Sequence, residues 1–230
     1  MQIKINRTAF TKALARTQNI VDKKSTMPIL ANVLLAAHPK GLTISATDLG
    51  VGVVVECEAE VLVGGDVTLP GKSFLVIIRN LPGEVVSLSV AENFRCTLKA
   101  EKAEFKIIGV SDTEFPKLPA PENAAFVAID AKAFNDMISK TLYSVSTDET
   151  RFHLNGVYFA GKDGTLRLVS TDGHRLSMVS RAIEGAELFV GQGAIVPKKG
   201  LLELQKLLES EETVEITLRG SNLYVRCPGV

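Results

Sequence analysis

The chain has 230 residues, of which 46% are hydrophobic and 23% charged, and its 26 basic side chains balance 26 acidic ones. This is the composition of a soluble globular protein; it argues against a membrane protein, because no apolar run approaches the roughly 20 residues of a spanning helix, and, taken alone, against a nucleic-acid binder. Three cysteines without CxxC or metal-type spacing, and a start without an apolar signal core, predict a cytoplasmic protein that needs no metal or cofactor.

The first predicted elements, a short strand and a helix, recur later in the chain. Residues 3–14 match residues 127–138, and each copy has a strand, an N-cap at Asn6 or Asp130 and a helix that carries Ala-Phe. A run of matches in the same order is typical of a duplicated domain. The further matching pairs, in chain order, are residues 45–54 with 170–179, 69–78 with 196–205, 85–90 with 214–219, and 93–98 with 222–227.

The four predicted helices divide evenly between the two copies. They cover about residues 8–21 and 72–81 in the first copy, and about residues 131–143 and 198–209 in the second. Most of the remaining sequence alternates or runs apolar with β-branched residues between turns, which indicates β-strands. Each copy is therefore predicted to be antiparallel sheet with two helices on one face, which is an α+β arrangement.

A proline-rich stretch separates the two copies. Residues 111–126 contain three prolines, which interrupt regular hydrogen bonding. We therefore expect one domain over residues 1–118 and a second over residues 124–230. The first copy has a last strand at residues 103–110 that has no counterpart in the second, so we expect the second domain to be cut short at its C-terminus.

Charge is distributed unevenly between the predicted helices and the rest of the chain. Residues 6–24, 71–80, 131–143 and 197–209 carry twelve basic and four acidic side chains, a net charge of +8, and the remainder carries −8. One interpretation is that these are ordinary solvated helix faces. The other is that the helices face a polyanion, such as duplex DNA held by its phosphates. The sequence has no zinc finger or recognition-helix motif, so such binding would not depend on base sequence.

Residues 170–179, with the sequence STDGHRLSMV, combine the hydroxyl, imidazole and carboxylate groups of a hydrolase site. A hydrolase that uses Asp172 and His174 is therefore an alternative function. The first copy keeps the Thr-Asp pair, at Thr47 and Asp48, but has no histidine there, and the chain has no GxSxG motif. We favour a structural role in which each aspartate accepts hydrogen bonds from the backbone N–H groups of a turn.

Taken together, these features resemble the bacterial DNA polymerase III β subunit family, the sliding clamps. The resemblance covers the whole chain and is most specific in TDGHRL and VPKKG, with further support from MPILANVLL, FPKLP and HLNGVYF. It implies a clamp fold, with helices that line a hole and sheets outside, in a homodimeric ring of three domains per chain, of which this sequence lacks the third. It also implies a non-enzymatic processivity factor for DNA replication that encircles duplex DNA and tethers the replicative DNA polymerase, the clamp loader and other clamp-binding proteins.

The resemblance implies two sets of functional residues. Phe152 has a second interpretation as a core residue, and the carboxylate of Asp148 would repel phosphate. The pocket would offer apolar surface and a tight turn to a short extended partner peptide. The residues implied to face DNA are Lys24, Lys72, Arg79, Asp148, Arg151, Phe152, His153, Lys198, Lys199 and Lys206. The residues implied to form the pocket are Leu154, Thr171, Gly173, His174, Arg175 and Leu176.

Overall fold

The structure is a computed structural model, and it describes residues 1–21, 26–121, 123–148, 150–189, 191 and 193–230. The chain divides into two compact units, one formed by Met1–Leu118 with Gly229–Val230 and the other by Pro119–Pro228. In the described part of the chain, no helix is both long and apolar enough to cross a membrane.

The first unit packs two helices against two antiparallel sheets. Its elements, in chain order, are β1 Gln2–Asn6, α1 Arg7–Thr17, β2 Asn32–His38, β3 Gly41–Thr47, β4 Gly52–Cys57, β5 Glu60–Val63, β6 Gly65–Pro70, α2 Gly71–Asn80, β7 Val85–Val90, β8 Arg95–Ala100 and β9 Ala103–Ile108. One sheet has the strand order β5-β1-β7-β8-β9 and the other β4-β3-β2-β6. The rings of Phe10 on α1 and Phe74 on α2 meet edge to face with centroids 5.5 Å apart, so the helix pair closes over a common core.

The second unit repeats this plan. Its elements are β10 Val127–Asp130, α3 Ala131–Leu142, β11 Gly156–Lys162, β12 Thr165–Thr171, β13 Leu176–Ala182, β14 Gly193–Pro197, α4 Lys198–Leu208, β15 Thr213–Arg219 and β16 Asn222–Arg226. The sheets have the orders β10-β15-β16 and β13-β12-β11-β14, and all of their strand pairs are antiparallel. Phe134 on α3 meets Phe159 on β11 edge to face at 6.1 Å. The α+β fold with two helices per copy is confirmed.

The predicted helix starts are confirmed at their caps. The Asn6 side-chain oxygen accepts a hydrogen bond from the Ala9 N–H at 3.0 Å, and the Asp130 carboxylate accepts one from the Ala133 N–H at 2.6 Å. Each cap satisfies one of the N–H groups that the first turn leaves unpaired.

The predicted end of α1 at residue 21 is wrong, because the helix ends at Thr17. Thr17 is buried, and its hydroxyl donates to the Leu14 carbonyl. Beyond it, the Gln18 N–H donates to the Ala15 carbonyl, and the N–H groups of Ile20 and Val21 both donate to the Thr17 carbonyl. Three-residue and four-residue spacings are thus mixed, and hydrogen-bonded turns replace the regular helix. The apolar spacing continues through this turn and for that reason resembles helix in the sequence.

Candidate nucleic-acid interface and partner site

The helix pair of the first unit presents basic side chains to solvent. On α2, Lys72 and Arg79 are exposed, and Phe74 and Ile78 on the opposite side are buried. The two basic residues are seven positions apart, which is two helical turns, so they lie on one side of α2 about 10 Å apart along its axis. Lys24, which was also implied to face DNA, lies outside the described residues.

The helix pair of the second unit has a similar basic surface, part of which is neutralised within the helix. Lys199 and Lys206 on α4 are exposed, whereas Lys198 is half-buried. The Lys206 ammonium lies 2.8 Å from the Glu203 carboxylate one turn earlier. The Gln205 amide donates to side-chain oxygens of α3, which fixes the two helices to each other. These hydrogen bonds therefore fix the position of the α4 basic side chains relative to α3.

The loop before β11 carries the remaining residues that were implied to face DNA. Asp148 accepts hydrogen bonds from the N–H and the hydroxyl of Thr150 and pairs with Arg151, whose Nε lies 3.2 Å from its Oδ2. The Thr150 hydroxyl and N–H, and then the Arg151 charge, hold the pKa of Asp148 below its usual value, so this acid is ionised and partly balanced. Phe152 is 79% exposed, so its interpretation as a core residue is wrong, and His153 is also exposed.

The turn between β12 and β13 is held by its Thr-Asp pair. The Asp172 carboxylate accepts hydrogen bonds from the N–H groups of His174 and Arg175, both at 3.0 Å, and the Thr171 hydroxyl accepts one from the Gly173 N–H. Gly173 has a φ of +92°, a conformation that glycine adopts without steric cost. The predicted structural role of Asp172 is therefore confirmed.

The equivalent turn of the first unit has the same hydrogen bonds. Asp48 accepts from the N–H groups of Gly50 and Val51 at 3.0 and 2.7 Å, and the Thr47 hydroxyl accepts from the Leu49 N–H. Leu49 occupies the position of Gly173 and also has a positive φ, of +76°. The shared turn geometry therefore depends on the Thr-Asp pair that begins each turn. It does not depend on the identity of the residues that follow the aspartate.

The hydrolase alternative is wrong, because the carboxylate and the serine hydroxyls that it needs are engaged in structural hydrogen bonds. The second carboxylate oxygen of Asp172 accepts a hydrogen bond from Arg175 Nε at 3.0 Å. The two backbone N–H groups, followed by Arg175, lower the pKa of Asp172 to about 2. The buried hydroxyls of Ser170 and Ser177 bond to the Thr141 carbonyl and to another buried serine hydroxyl. Among the described hydrogen bonds, none joins the His174 imidazole to a carboxylate or a hydroxyl.

Arg175 connects this turn to the C-terminus of α3. Its Nη2 donates to the carbonyl of Tyr143 at 2.8 Å, and its guanidinium carbon lies 5.5 Å from the centroid of the Tyr143 ring. Tyr143 is the C-cap residue of α3, where carbonyls lack helical partners. Sequence reasoning missed Tyr143, because its partner is 32 residues away and no local pattern marks the pair.

Within the second unit, one loop of the set implied to face DNA adjoins the turn of the implied pocket. A Cβ atom placed on Gly173 would lie 3.5 Å from the Arg151 guanidinium, so the Arg151 loop borders the Asp172 turn. Of the apolar pocket residues, Leu154 is half-buried and Leu176 is exposed. Across the described residues, no group of three or more histidine, cysteine, aspartate or glutamate side chains is arranged to hold a metal ion.

Comparison with known proteins gives a consistent result across the chain. The family model for the DNA polymerase III beta subunit, N-terminal domain, matches residues 1–119, and the model for its central domain matches residues 128–230. The beta sliding clamp of Caulobacter vibrioides is 38% identical over 225 residues, which is 94% of this chain and 60% of that protein. The beta sliding clamp of Vibrio cholerae is 33% identical and covers 97% of this chain and 61% of that protein. The chain thus spans about 60% of the length of the curated relatives it matches.

Solved structures show the same likeness. The DNA polymerase sliding clamp from Caulobacter crescentus superposes with a TM-score of 0.90 at 35% identity, over 98% of this chain and 62% of that chain. The DnaN sliding clamp from Bartonella birtlesii, solved bound to griselimycin, superposes with a TM-score of 0.87 at 32% identity, over 100% of this chain and 63% of that chain.

Proposed function

The chain belongs to the DNA polymerase III beta subunit family, and we propose on that premise that it supplies two domains of a ring that encircles duplex DNA and slides along it. The ring would be a non-enzymatic processivity factor that tethers the replicative DNA polymerase to its template. The observation that carries the proposal is the helix pair of each unit, which turns apolar side chains to the core and basic ones to solvent. A sliding ring needs this arrangement, because phosphate contacts hold DNA without reading its sequence.

The proposed DNA contacts come from helices and from one loop. Lysine and arginine side chains would contact phosphates, and the exposed ring of Phe152 would pack against sugar or base edges. Asp148 would act through Arg151, whose guanidinium it positions 3.2 Å away. The proposed set consists of Lys24, Lys72, Arg79, Asp148, Arg151, Phe152, His153, Lys198, Lys199 and Lys206.

The proposed partner site lies at the Asp172 turn. A short extended peptide with leucine or phenylalanine anchors would pack against Leu154 and Leu176, and the exposed backbone at Gly173 permits its close approach. Polymerase, clamp loader and other clamp-binding proteins would compete for this site. Thr171, His174 and Arg175 complete the proposed pocket, in which Arg175 both borders the peptide and holds the turn.

The proposed ring would close as a head-to-tail homodimer of the complete protein. The first unit has a suitable surface, because β9 is an edge strand whose Phe105 and Ile108 side chains are exposed. An exposed apolar edge strand is a template for pairing with another chain.

The experiment that tests encirclement compares circular with linear DNA. The complete protein is loaded onto a nicked plasmid by its own clamp loader with ATP, and the DNA-bound fraction is separated by gel filtration before and after linearisation. We expect retention on the circle and loss from the linear form. Equal retention on both forms would contradict a topological link.

Charge reversal tests the proposed DNA surface in the same assay. Lys24→Glu combined with Arg79→Glu should impair loading, because both changes place a negative charge opposite phosphate. The matched control combines Lys102→Glu and Lys162→Glu, which change the net charge equally at exposed positions of the sheets, in the turn after β8 and at the end of β11. Equal impairment by both pairs would show that net charge, and not the helix surface, is responsible.

A further inference from the structure

An open groove of about 350 Å³ lies between α3 and α4 in the second unit. The Gln205 amide donates to the Asn135 side-chain oxygen at 2.7 Å and to the Ser139 hydroxyl at 2.9 Å, so the two helices are held at a fixed spacing along the groove. The residues that line it are Ser139, Leu142, Tyr143, Lys198 and Gln205. The groove thus combines an aromatic ring and an aliphatic side chain with an ammonium, an amide and a hydroxyl group.

Tyr143 contributes the aromatic ring of the groove. It is the C-cap residue of α3, and it is 60% exposed. The Arg175 guanidinium carbon lies 5.5 Å from the ring centroid, and Arg175 Nη2 donates to the Tyr143 carbonyl. These contacts hold the ring beside the groove without burying it. An aromatic side chain that is already held in place loses little conformational entropy when it packs against a ligand.

Lys198 contributes the positive charge, at the first position of α4. Its backbone N–H donates to the Asn155 carbonyl at 3.2 Å, which fixes the start of the helix. The residue is half-buried and lines the groove together with Tyr143. Among the described residues, no carboxylate is paired with the Lys198 ammonium, whereas Lys206 on the same helix is paired with Glu203. The charge of Lys198 is therefore available to an anion in the groove.

In the first unit, a hydrogen bond between the helices occupies the corresponding position. The repeat aligns Gln18 with Leu142 and Gly71 with Lys198. The Gln18 amide donates to the Gly71 carbonyl at 3.2 Å and so joins the end of α1 to the start of α2. A Cβ atom placed on Gly71 would lie 3.0 Å from Val21, which leaves little room for a side chain. The packing of such a helix pair therefore does not require the lysine and the tyrosine of the second unit.

We propose that the groove receives the backbone of one strand of duplex DNA, with a phosphate on the Lys198 ammonium and a deoxyribose packed against the Tyr143 ring. Tyr143 is then a further DNA-contacting residue, and its contact is apolar. Sugars and phosphates are the parts of a duplex that proteins contact without reading its sequence. An aromatic ring beside an ammonium matches one such sugar-phosphate step. The inference rests on the proposed DNA-binding function and specifies where the helix pair of the second unit meets a strand.

Salt titration separates the contact of Tyr143 from that of Lys198. With the complete protein and a labelled 30-base-pair duplex, Tyr143→Ala should weaken binding about fivefold at every salt concentration, because it removes roughly 40 Å² of apolar contact. The slope of log affinity against log salt should stay unchanged, since an uncharged side chain releases no counterion. Lys198→Gln should make the slope less steep by about 0.9. Tyr143→Phe keeps the ring and should bind DNA as the wild type does.

Leu62→Ala is the control variant, because it removes an exposed apolar side chain from the edge strand β5. Equal weakening by Leu62→Ala and Tyr143→Ala would refute a specific contact of the ring. A changed slope for Lys198→Gln together with wild-type affinity for Tyr143→Ala would overturn the inference and leave the proposed DNA-binding function intact. Wild-type binding by both groove variants would overturn the inference and also the assignment of this helix pair to DNA.

Photocrosslinking tests the proximity of the ring to DNA, and it applies even if Tyr143→Ala impairs folding, because an aromatic residue is retained. The photoreactive amino acid p-benzoylphenylalanine replaces Tyr143 in the complete protein, which is loaded onto a nicked plasmid and irradiated. We expect crosslinks to DNA from this position, and none when the same amino acid replaces Leu62. Crosslinks to protein alone, or no crosslinks, from the groove position would contradict the proposal.

Discussion

Neutralisation of Lys72 and Arg79 should weaken the salt dependence of DNA binding by a calculable amount. Each phosphate contact contributes about 0.9 to the slope of log affinity against log salt. The six proposed basic contacts on described residues are Lys72, Arg79, Arg151, Lys198, Lys199 and Lys206. Arg151 and Lys206 are already paired with carboxylates, at 3.2 and 2.8 Å. Six contacts give a slope of about −5.4, and each basic side chain that stays paired with a carboxylate makes the slope less steep.

The variant that combines Lys72→Gln and Arg79→Gln removes two contacts, so its slope should be less steep by about 1.8. Between 50 and 200 mM salt, the wild type should then lose about twelvefold more affinity than the variant, because the salt concentration rises fourfold. Both side chains are exposed, on the side of α2 opposite Phe74 and Ile78, so we expect the fold to be unaffected.

Fluorescence anisotropy of the complete protein with a labelled 30-base-pair duplex, measured at several salt concentrations, gives the slope. The control variant combines Lys102→Gln and Lys162→Gln, two exposed positions of the sheets, in the turn after β8 and at the end of β11. A slope that changes equally in both variants, or in neither, would refute the assignment of the α2 surface to DNA.

Three further predictions concern the cap of α3, the Asp172 turn and the β9 edge. Asp130→Ala removes the hydrogen bond to Ala133 and should lower the free energy of unfolding of the second unit by about 1 kcal/mol; thermal denaturation measures this, and an unchanged midpoint would contradict it. The lowered pKa of Asp172 means that its contribution to stability is complete above its usual value of 3.8 and is lost as the pH falls through about 2, so an NMR titration should show a midpoint near 2, and one near 3.8 would contradict the turn geometry. Phe105→Asp in the complete protein should shift sedimentation from dimer to monomer, and an intact dimer would exclude β9 from the interface.

The duplication made much of the fold predictable from the sequence. Because each sequence pattern occurs twice, a pattern in one copy could be checked against the matching residues of the other, as with the predicted N-caps Asn6 and Asp130. The comparison of Asp48 with Asp172 predicted a shared structural role, because the first copy has no histidine beside the aspartate. Both aspartates form the predicted backbone hydrogen bonds.

Features that depend on distant contacts could not be predicted in this way. The bond from Arg175 to the Tyr143 carbonyl joins residues 32 positions apart, and no periodicity records it. The exposure of Phe152 was equally unpredictable from the sequence. In a segment without hydrophobic periodicity, an aromatic residue does not indicate whether its side chain faces the core or solvent. By contrast, the pairing of Asp148 with Arg151 has a spacing of three residues, which sequence inspection could have used.

The repeated Thr-Asp turn has a consequence for protein engineering. In both units, the hydroxyl and the carboxylate hold the hairpin, and the position after the aspartate has a positive φ whether it is Leu49 or Gly173. The residues that follow the aspartate can therefore be replaced while the threonine and the aspartate continue to hold the hairpin. The residues of the proposed partner site could be transferred from the second hairpin to the first, with glycine at position 49. The Thr47–Asp48 pair would hold them in the same turn, and the variant would then present the transferred residues in both units.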